Sequence, residues 1–286
     1  MSTPRPFSIR IFVADGLPAG VRTVEKSNWS GRGVVMPRSR YNDVRHRPEF
    51  AKAGVYVLVG QSESTGATKI YVGEGDPIRP RLDSHASQKD FWTQAFAFVS
   101  KDDNLNKAHV QFLEARLIEL ARQAKRCELE NAKIPERSSL SEADVAEVEG
   151  FLSEMLLCFP VLGLPAFEEA PAAPKARIRL VTSGKGAKAA GFESEEGFVV
   201  EKGSTAVLSE TPTIPAFASG LRRQLLDAGV LRATSEVFVF EQPYVFSSPS
   251  TASTVVLGRN TNGRLEWCDE RGRTLKEIQE SGRSQT

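Results

Sequence analysis

The chain has 286 residues, which is long for one domain and comfortable for two. Its apolar content of 40% and charged content of 26% indicate an ordinary globular protein, and its net charge of +1 excludes a polycation. The three scattered cysteines form neither a metal-ligand spacing nor a disulfide framework, which favours a reducing compartment. The N-terminus has no apolar signal core and no run approaches a membrane span, so we expect a cytoplasmic protein with no membrane contact.

Residues 1–49 are predicted to form a β-rich, basic N-terminal extension. Strands are indicated from Phe7 to Val13, from Val21 to Lys26 and around Val34, each bounded by turn residues. Residues 1–50 carry nine Lys and Arg against four Asp and Glu, and five of the nine lie between positions 32 and 47. Such a patch suits a polyanion partner, although a solvated arginine-rich surface explains the same composition. The candidate phosphate contacts are Arg32, Arg38, Arg40, Arg45 and Arg47.

A β-hairpin is predicted next, because two apolar runs are joined by a polar loop over residues 61–68. The first run opens with Gly54-Val55-Tyr56 and the second ends in Tyr71-Val72-Gly73. The chain has four tyrosines, and two of them lie in this hairpin beside glycines. Packing alone does not explain this pairing, although both residues also suit ordinary half-buried strand positions.

A short helix is expected after the hairpin, with Asp76 as its N-cap and Pro77 at its first position. Arg81 and His85 are four residues apart and therefore share one face of that helix. Arg81 pairing with Asp83 and His85 as a surface histidine are the alternatives to a functional role. A third strand is predicted from Ala95 to Ser100.

A longer helix is predicted from a cap at Asn104 or Asn106 to about Lys125. At about 100° per residue, Glu114 falls inside an apolar arc that includes Val110 and Leu117. A carboxylate on that arc needs a partner, which a divalent metal ion or Arg81 would supply. A structural Glu–Arg pair, or a glutamate at the helix edge reaching water, explains the same pattern.

In these residues the sequence resembles the GIY-YIG nuclease superfamily over roughly residues 50–135. The two family triplets appear as Gly54-Val55-Tyr56 and Tyr71-Val72-Gly73. The family arginine and glutamate match Arg81 and Glu114, and a late family asparagine matches Asn131. The resemblance implies a small antiparallel sheet with a three-stranded core flanked by helices.

The resemblance also implies a role for each matched residue in phosphodiester hydrolysis. Tyr56 would activate water, and Tyr71 would position that water or support the phosphate. Arg81 would bind the scissile phosphate, and His85 would assist proton transfer or phosphate binding. Glu114 would hold Mg²⁺ or Mn²⁺ as a metal ligand. Three further residues complete the predicted set, with Asn131 orienting the substrate or a neighbouring group and with Lys107 and His109 contacting the nucleic-acid backbone.

The second half is predicted to be a separate domain. Residues 165–176 are rich in Pro, Ala and Glu and are predicted to be a linker between residues 50–164 and 177–280. In the second domain, a hairpin is expected about Gly203, a helix from Ala216 to Ala228, and a tight turn at Asn262-Gly263. The stretch 246–275 resembles a small domain of uncharacterised function that often follows GIY-YIG nucleases. It offers no catalytic constellation, so an accessory role in DNA or protein docking is expected.

The predicted fold class is therefore α+β, with a nuclease domain, a β-rich N-terminal extension and an accessory C-terminal α+β domain. The predicted function is a metal-dependent endonuclease acting on DNA, with RNA left open as a substrate. One alternative is a catalytically silent nucleic-acid-binding module on the same scaffold. Another is an interaction protein of a defence or restriction system, with a protein partner on the C-terminal domain. Specificity and oligomeric state do not follow from the sequence.

Overall fold

The computed structural model describes residues 6–63, 65–132, 135, 139–168 and 178–283. The chain divides into two compact units, and the division falls after Glu168. Both units combine helices with antiparallel sheets, so the α+β class is confirmed. Residues 169–176 of the predicted linker lie outside the described residues.

The first unit is built on one seven-stranded sheet with the order β1-β2-β3-β6-β4-β5-β7. Its strands are β1 (Ile9–Val13), β2 (Arg22–Lys26), β3 (Gly31–Pro37), β4 (Gly54–Gln61), β5 (Thr68–Gly75), β6 (Trp92–Ser100) and β7 (Glu128–Leu129). All neighbours are antiparallel except β5 and β7, which are parallel.

The expected β-rich N-terminal region is present, and its strands belong to the same sheet as the hairpin. The expected core strands β6, β4 and β5 are present, but β3 pairs with β6 along its whole length, from Gly31 opposite Ser100 to Pro37 opposite Gln94. The reason is that β6 would otherwise present an unpaired apolar edge. Burial of β3 from Gly33 to Met36 then joins residues 6–49 to the main core.

Helices cover both faces of this sheet. They are α1 (Tyr41–Val44), α2 (Arg79–Gln88), α3 (Lys107–Ala124), α4 (Glu142–Leu156) and α5 (Cys158–Val161), with short 3₁₀ turns at Arg38–Arg40 and Pro48–Ala51. Alternation along β4 separates two cores. Val55 and Val57 pack with residues of α3, α4 and α5, whereas Tyr56 and Leu58 pack with residues of α1 and α2.

The starts of two helices can be compared with the capping residues predicted from the sequence. Asn106 caps α3, because its side chain accepts hydrogen bonds from the N–H groups of Ala108 and His109. By contrast, α2 begins at Arg79 and not at Pro77. The N–H of Ile78 donates to the carbonyl of Lys52 at 3.1 Å, so residues before it follow the neighbouring loop instead of the helix.

The second unit contains two smaller sheets, with the orders β14-β10-β9-β8 and β11-β13-β12. Its elements are β8 (Leu180–Gly184), β9 (Ala187–Ser194), β10 (Gly197–Val200), β11 (Thr205–Val207), α6 (Ala216–Asp227), β12 (Leu231–Ala233), β13 (Val237–Phe240), β14 (Tyr244–Phe246), α7 (Pro249–Leu257), α8 (Gly263–Glu266) and α9 (Leu275–Arg283). One apolar core, which includes Phe198, Phe246 and Trp267, connects them.

Two turn predictions for this unit are wrong. Strands β10 and β11 flank Gly203 but belong to different sheets, because Gly203 donates its N–H to Phe240 and directs the chain from one sheet to the other. Asn262-Gly263 makes no tight β-turn, since Asn262 accepts from the N–H of Arg264 and caps α8. A Cβ at position 263 would lie 2.2 Å from the Pro249 carbonyl carbon, so glycine is required for packing.

A search of the described helices for a membrane span found none that is both long enough and apolar enough.

Candidate active site

The hairpin β4–β5 places its two tyrosines on the same face of the sheet. Tyr56 lies opposite Gly73 and Tyr71 lies opposite Leu58, so the two side chains are diagonal neighbours. Tyr56 is 1% exposed, and a Cβ on Gly73 would lie 2.4 Å from its hydroxyl oxygen. Gly73 therefore leaves the space that the Tyr56 ring occupies, which explains the glycine at the end of the second triplet.

His85 of α2 packs against both tyrosine rings. Its ring centroid lies 4.9 Å from that of Tyr71 and 5.7 Å from that of Tyr56. Burial lowers the pKa of His85 to about 4, and the positive charges of Lys89 and Arg81 contribute to this shift. Its Nδ1 atom has no hydrogen-bond partner among the described residues. The ring is therefore held neutral at pH 7, and its unpartnered Nδ1 atom is itself buried.

Arg81 lies one helical turn before His85 and is exposed. Its guanidinium forms no ion pair and no hydrogen bond within the part of the chain that the structure describes. Its positive charge favours the ionised forms of Tyr56, Tyr71 and Glu114, and so opposes the rise of each pKa. The guanidinium is thus both close to the cluster and available to an anion.

Glu114 comes from α3, which packs on the opposite face of the sheet. Burial raises its pKa to about 7; the negative charge of Glu74 adds to the rise, and Arg81 and Lys107 oppose it. The charge of Glu114 in turn raises the pKa of Tyr56 and Tyr71, so the carboxylate and both phenols interact electrostatically. No hydrogen bond or ion pair to the carboxylate is found among the described residues, and the alternative of a direct pair with Arg81 is not observed.

The open edge of β5 explains how groups from both faces meet. Strand β7 pairs only with Lys69 and Ile70, and the side chain of Asn131 continues the edge at Val72. From Gly73 onward, no described strand covers this edge. We name the resulting group the edge cluster; its members are Tyr56, Tyr71, Arg81, His85 and Glu114.

Sequence reasoning did not identify Glu74, which follows Gly73 directly. Its carboxylate is 6% exposed and receives the Lys107 ammonium, with Nζ 2.5 Å from Oε1 and 2.7 Å from Oε2. The predicted nucleic-acid contact Lys107 is therefore engaged by Glu74, although its side chain remains half exposed. The sequence pattern that could have identified Glu74 is a charged residue in a predicted strand in which the neighbouring residues on the same face are apolar.

The amide of Asn131 is bonded to strand β5, and His109 is buried. Asn131 accepts from the N–H of Val72 at 2.9 Å and donates through Nδ2 to the Val72 carbonyl at 2.8 Å, so its amide supports the backbone of β5. His109 is 8% exposed, and its Nδ1 lies 3.1 Å from the carbonyl of Asn104. This burial argues against the predicted contact of His109 with nucleic acid.

The predicted basic patch is largely neutralised by carboxylates. Each of its arginines has an acidic partner within 4 Å: Arg32 pairs with Glu25 and Glu49, Arg38 with Asp90, Arg40 with Asp43 and Asp15, Arg45 with Asp83, and Arg47 with Glu49. Arg38 also donates to the Ala86 carbonyl and lies over the Trp92 ring, 5.0 Å from its centroid. The structure therefore favours a structural role for these residues over phosphate binding.

The carboxylates fit one kind of metal ion. The described residues contain no group of three or more His, Cys, Asp or Glu side chains able to hold a metal. Mg²⁺ retains several waters and often takes only one or two protein carboxylates together with phosphate oxygens. Glu114 can serve as one such ligand, whereas both oxygens of Glu74 are occupied by Lys107.

Comparison with known proteins concerns the second unit. Residues 180–279 match the model of a family described as "Domain of unknown function (DUF4357)". This match is compatible with the predicted accessory C-terminal domain. Searches of curated proteins and of solved structures found no match to the chain.

Proposed function

We propose that this chain is a metal-dependent endonuclease of the GIY-YIG type that hydrolyses phosphodiester bonds in DNA. The observation that supports this most strongly is the edge cluster itself. It brings a neutral histidine, two phenols, an unpaired guanidinium and a partly buried carboxylate together from four elements, β4, β5, α2 and α3. These are the group types that phosphoryl chemistry requires, and they meet at an open sheet edge.

Each residue has a chemical task that follows from its surroundings. Arg81 is free to bind two phosphate oxygens through its planar fork of donors. Neutral His85 is unprotonated at pH 7, so its ring can accept a proton or a hydrogen bond, and its pKa of about 4 makes it a weak base there. Burial raises the pKa of Tyr56 and Tyr71, so in this environment both phenols stay protonated and donate hydrogen bonds to water or phosphate oxygens. A divalent ion on Glu114 would supply positive charge for the pentavalent transition state and the leaving oxygen.

A catalytically silent binding module is the second candidate, and Glu114 argues against it. A half-buried carboxylate without a partner destabilises the fold. A protein that only binds nucleic acid gains nothing from this destabilisation, whereas a metal-dependent enzyme gains a metal ligand. The proposal therefore depends on Glu114 and can be tested there.

The test is a cleavage assay on the full chain with supercoiled plasmid, branched DNA and single-stranded RNA, in Mg²⁺, Mn²⁺ or EDTA. We expect the wild type to cut DNA only with metal, and Glu114→Gln to cut it about 100-fold more slowly or worse, because the metal ligand is lost. Glu147→Gln, which changes an exposed carboxylate of α4, is the matched control and should cut normally. Equal cutting by the two variants would refute the metal assignment. DNA binding without any cutting would favour the silent module.

A further inference from the structure

Strand β1 forms one edge of the seven-stranded sheet, with β2 as its only described neighbour. Two hydrogen bonds show which residues of β1 bond to β2. At one end the N–H of Ser27 donates to the carbonyl of Ser8 at 3.2 Å, and at the other end the N–H of Ala14 donates to the carbonyl of Val21 at 2.8 Å. In an antiparallel ladder such bonds recur at every second residue. Even-numbered residues of β1 therefore bond to β2, and the backbone groups of Ile9, Ile11 and Val13 point away from the sheet.

This edge carries little of the usual protection against pairing, since Arg10 is its one charged residue. Strand β1 contains no Pro and no Lys, and its register with β2 is regular from end to end. Its apolar side chains are unusually exposed, with Ile11 at 40% and Phe12 at 62%, and Phe7 just before the strand is 50% exposed. Arg10, between them, is exposed and forms no ion pair with any described residue. A weakly protected apolar edge of this kind is typical of a surface that another strand covers.

We propose that β1 pairs with β1 of a second copy of this chain, antiparallel and centred on Ile11. In that register Ile11 lies opposite itself and Ile9 lies opposite Val13 of the second copy. These are the residues whose backbone groups already point outward, so two-fold pairing forms three hydrogen-bonded pairs without changing either strand. The apolar side chains of all three then share one face.

The side chains on the other face of this strand pair favour a second copy of the chain over an unrelated strand as the partner. Arg10 of each copy lies opposite Phe12 of the other in a close, non-hydrogen-bonded pair, which suits a cation–π contact. A register centred on Arg10 would instead set two arginines against each other, and one centred on Phe12 would leave Arg10 opposite Ala14. The strand is therefore complementary to itself in one register, which an arbitrary peptide partner would not require.

The first test is the molar mass of the full chain, measured by sedimentation from about 1 to about 500 μM. An interface of one strand pair is small, so we expect a concentration-dependent rise towards twice 31.3 kDa. Ile11→Lys should remain monomeric throughout, because it places two like charges opposite each other. Leu17→Lys, which replaces an apolar residue 54% exposed in the turn after β1, should still associate. A monomeric wild type, or an Ile11→Lys variant that associates normally, would overturn the proposal.

A second test reads the register directly and does not depend on a strong interface. Directly opposed residues in such a ladder have Cα atoms about 5.5 Å apart, which a disulfide can span. In a background with Cys127→Ser and Cys268→Ser, Ile11→Cys should give a reducible cross-linked dimer under mild oxidation. Leu17→Cys in the same background should not. Cross-linking of both variants alike, or of neither, would contradict a register centred on Ile11.

Discussion

At Glu114 the requirements of folding and of the proposed chemistry oppose each other. Burial raises the pKa of this carboxyl to about 7 in the folded chain, above the ordinary 4.5. Between these two values the folded state holds more protons than the unfolded state, so the contribution of Glu114 to stability falls as pH rises. Above pH 7 the whole loss is present, because the side chain must then be charged in a partly buried place.

We therefore expect Glu114→Gln to raise the melting temperature of the metal-free protein at pH 8 while abolishing cleavage. The gain should shrink as pH is lowered and disappear near pH 4, where both states hold the proton. Thermal unfolding in EDTA across this range measures it, with Glu147→Gln as the control that leaves stability unchanged. A variant less stable than the wild type at pH 8 would show that Glu114 has a structural partner.

Gly73 shows why the second triplet contains a glycine. A methyl group there would collide with the hydroxyl of Tyr56, whose ring is 1% exposed and enclosed by the core. Gly73→Ala should therefore destabilise the fold by about 1–3 kcal/mol and displace the phenol, with a large loss of cleavage. Gly150→Ala in α4 meets nothing within 4 Å and should be neutral or stabilising by about 0.5–1 kcal/mol. Denaturant unfolding and a cleavage assay compare the two. Full activity in Gly73→Ala would contradict the packing argument.

At the scale of the element, the side chain of Asn131 bonds to the backbone at the edge of β5, beyond the point where β7 ends. The last backbone bond at this edge is donated by the N–H of Glu130 to the carbonyl of Ile70 at 2.8 Å, and the amide of Asn131 then bonds to both the N–H and the carbonyl of Val72. This side chain thus fixes the segment between Tyr71 and Gly73, one residue from each. Asn131 therefore supports the backbone that carries Tyr71, a member of the edge cluster.

Asn131→Ala should leave the overall fold intact but loosen this segment. The N–H of Val72 loses its acceptor, so its hydrogen exchange should become faster by about 10- to 100-fold, which corresponds to about 1–3 kcal/mol of local stability. Ala132→Ser, at the exposed neighbouring position, is the control. If the Val72 amide exchanges at the wild-type rate in Asn131→Ala, the amide contributes nothing to the edge.

At the scale of the whole molecule, we expect DNA binding to depend on the arginines that lack an acidic partner and not on the number of arginines in a segment. The arginines between positions 32 and 47 are bound to carboxylates of the same unit, whereas Arg81 has no acidic partner among the described residues. A paired guanidinium releases few counterions from DNA, because its own carboxylate already neutralises it. Arg81 should therefore dominate the salt dependence of binding near the edge cluster.

We expect Arg81→Ala to lower the slope of log K against log salt by about one unit, and the double variant Arg38→Ala, Arg40→Ala to leave it unchanged. Fluorescence anisotropy with a labelled duplex in EDTA measures both slopes without cleavage. If the double variant lowers the slope and Arg81→Ala does not, the phosphate-binding surface lies on the N-terminal strands.

The sequence by itself determined those features that depend on near neighbours in the chain. The hairpin β4–β5, a capped start of α3 at Asn104 or Asn106 and the place of Glu114 on an apolar arc all follow from periodicity and capping, which act within a few residues. Tertiary structure decided what depends on distant partners. The acidic partners of Arg38 and Arg45 lie 52 and 38 residues away, Asn131 bonds 59 residues back to Val72, and β10 and β11 separate into two sheets although only four residues lie between them. No local pattern encodes such pairings, because burial and charge compensation are fixed only when the whole sheet has formed.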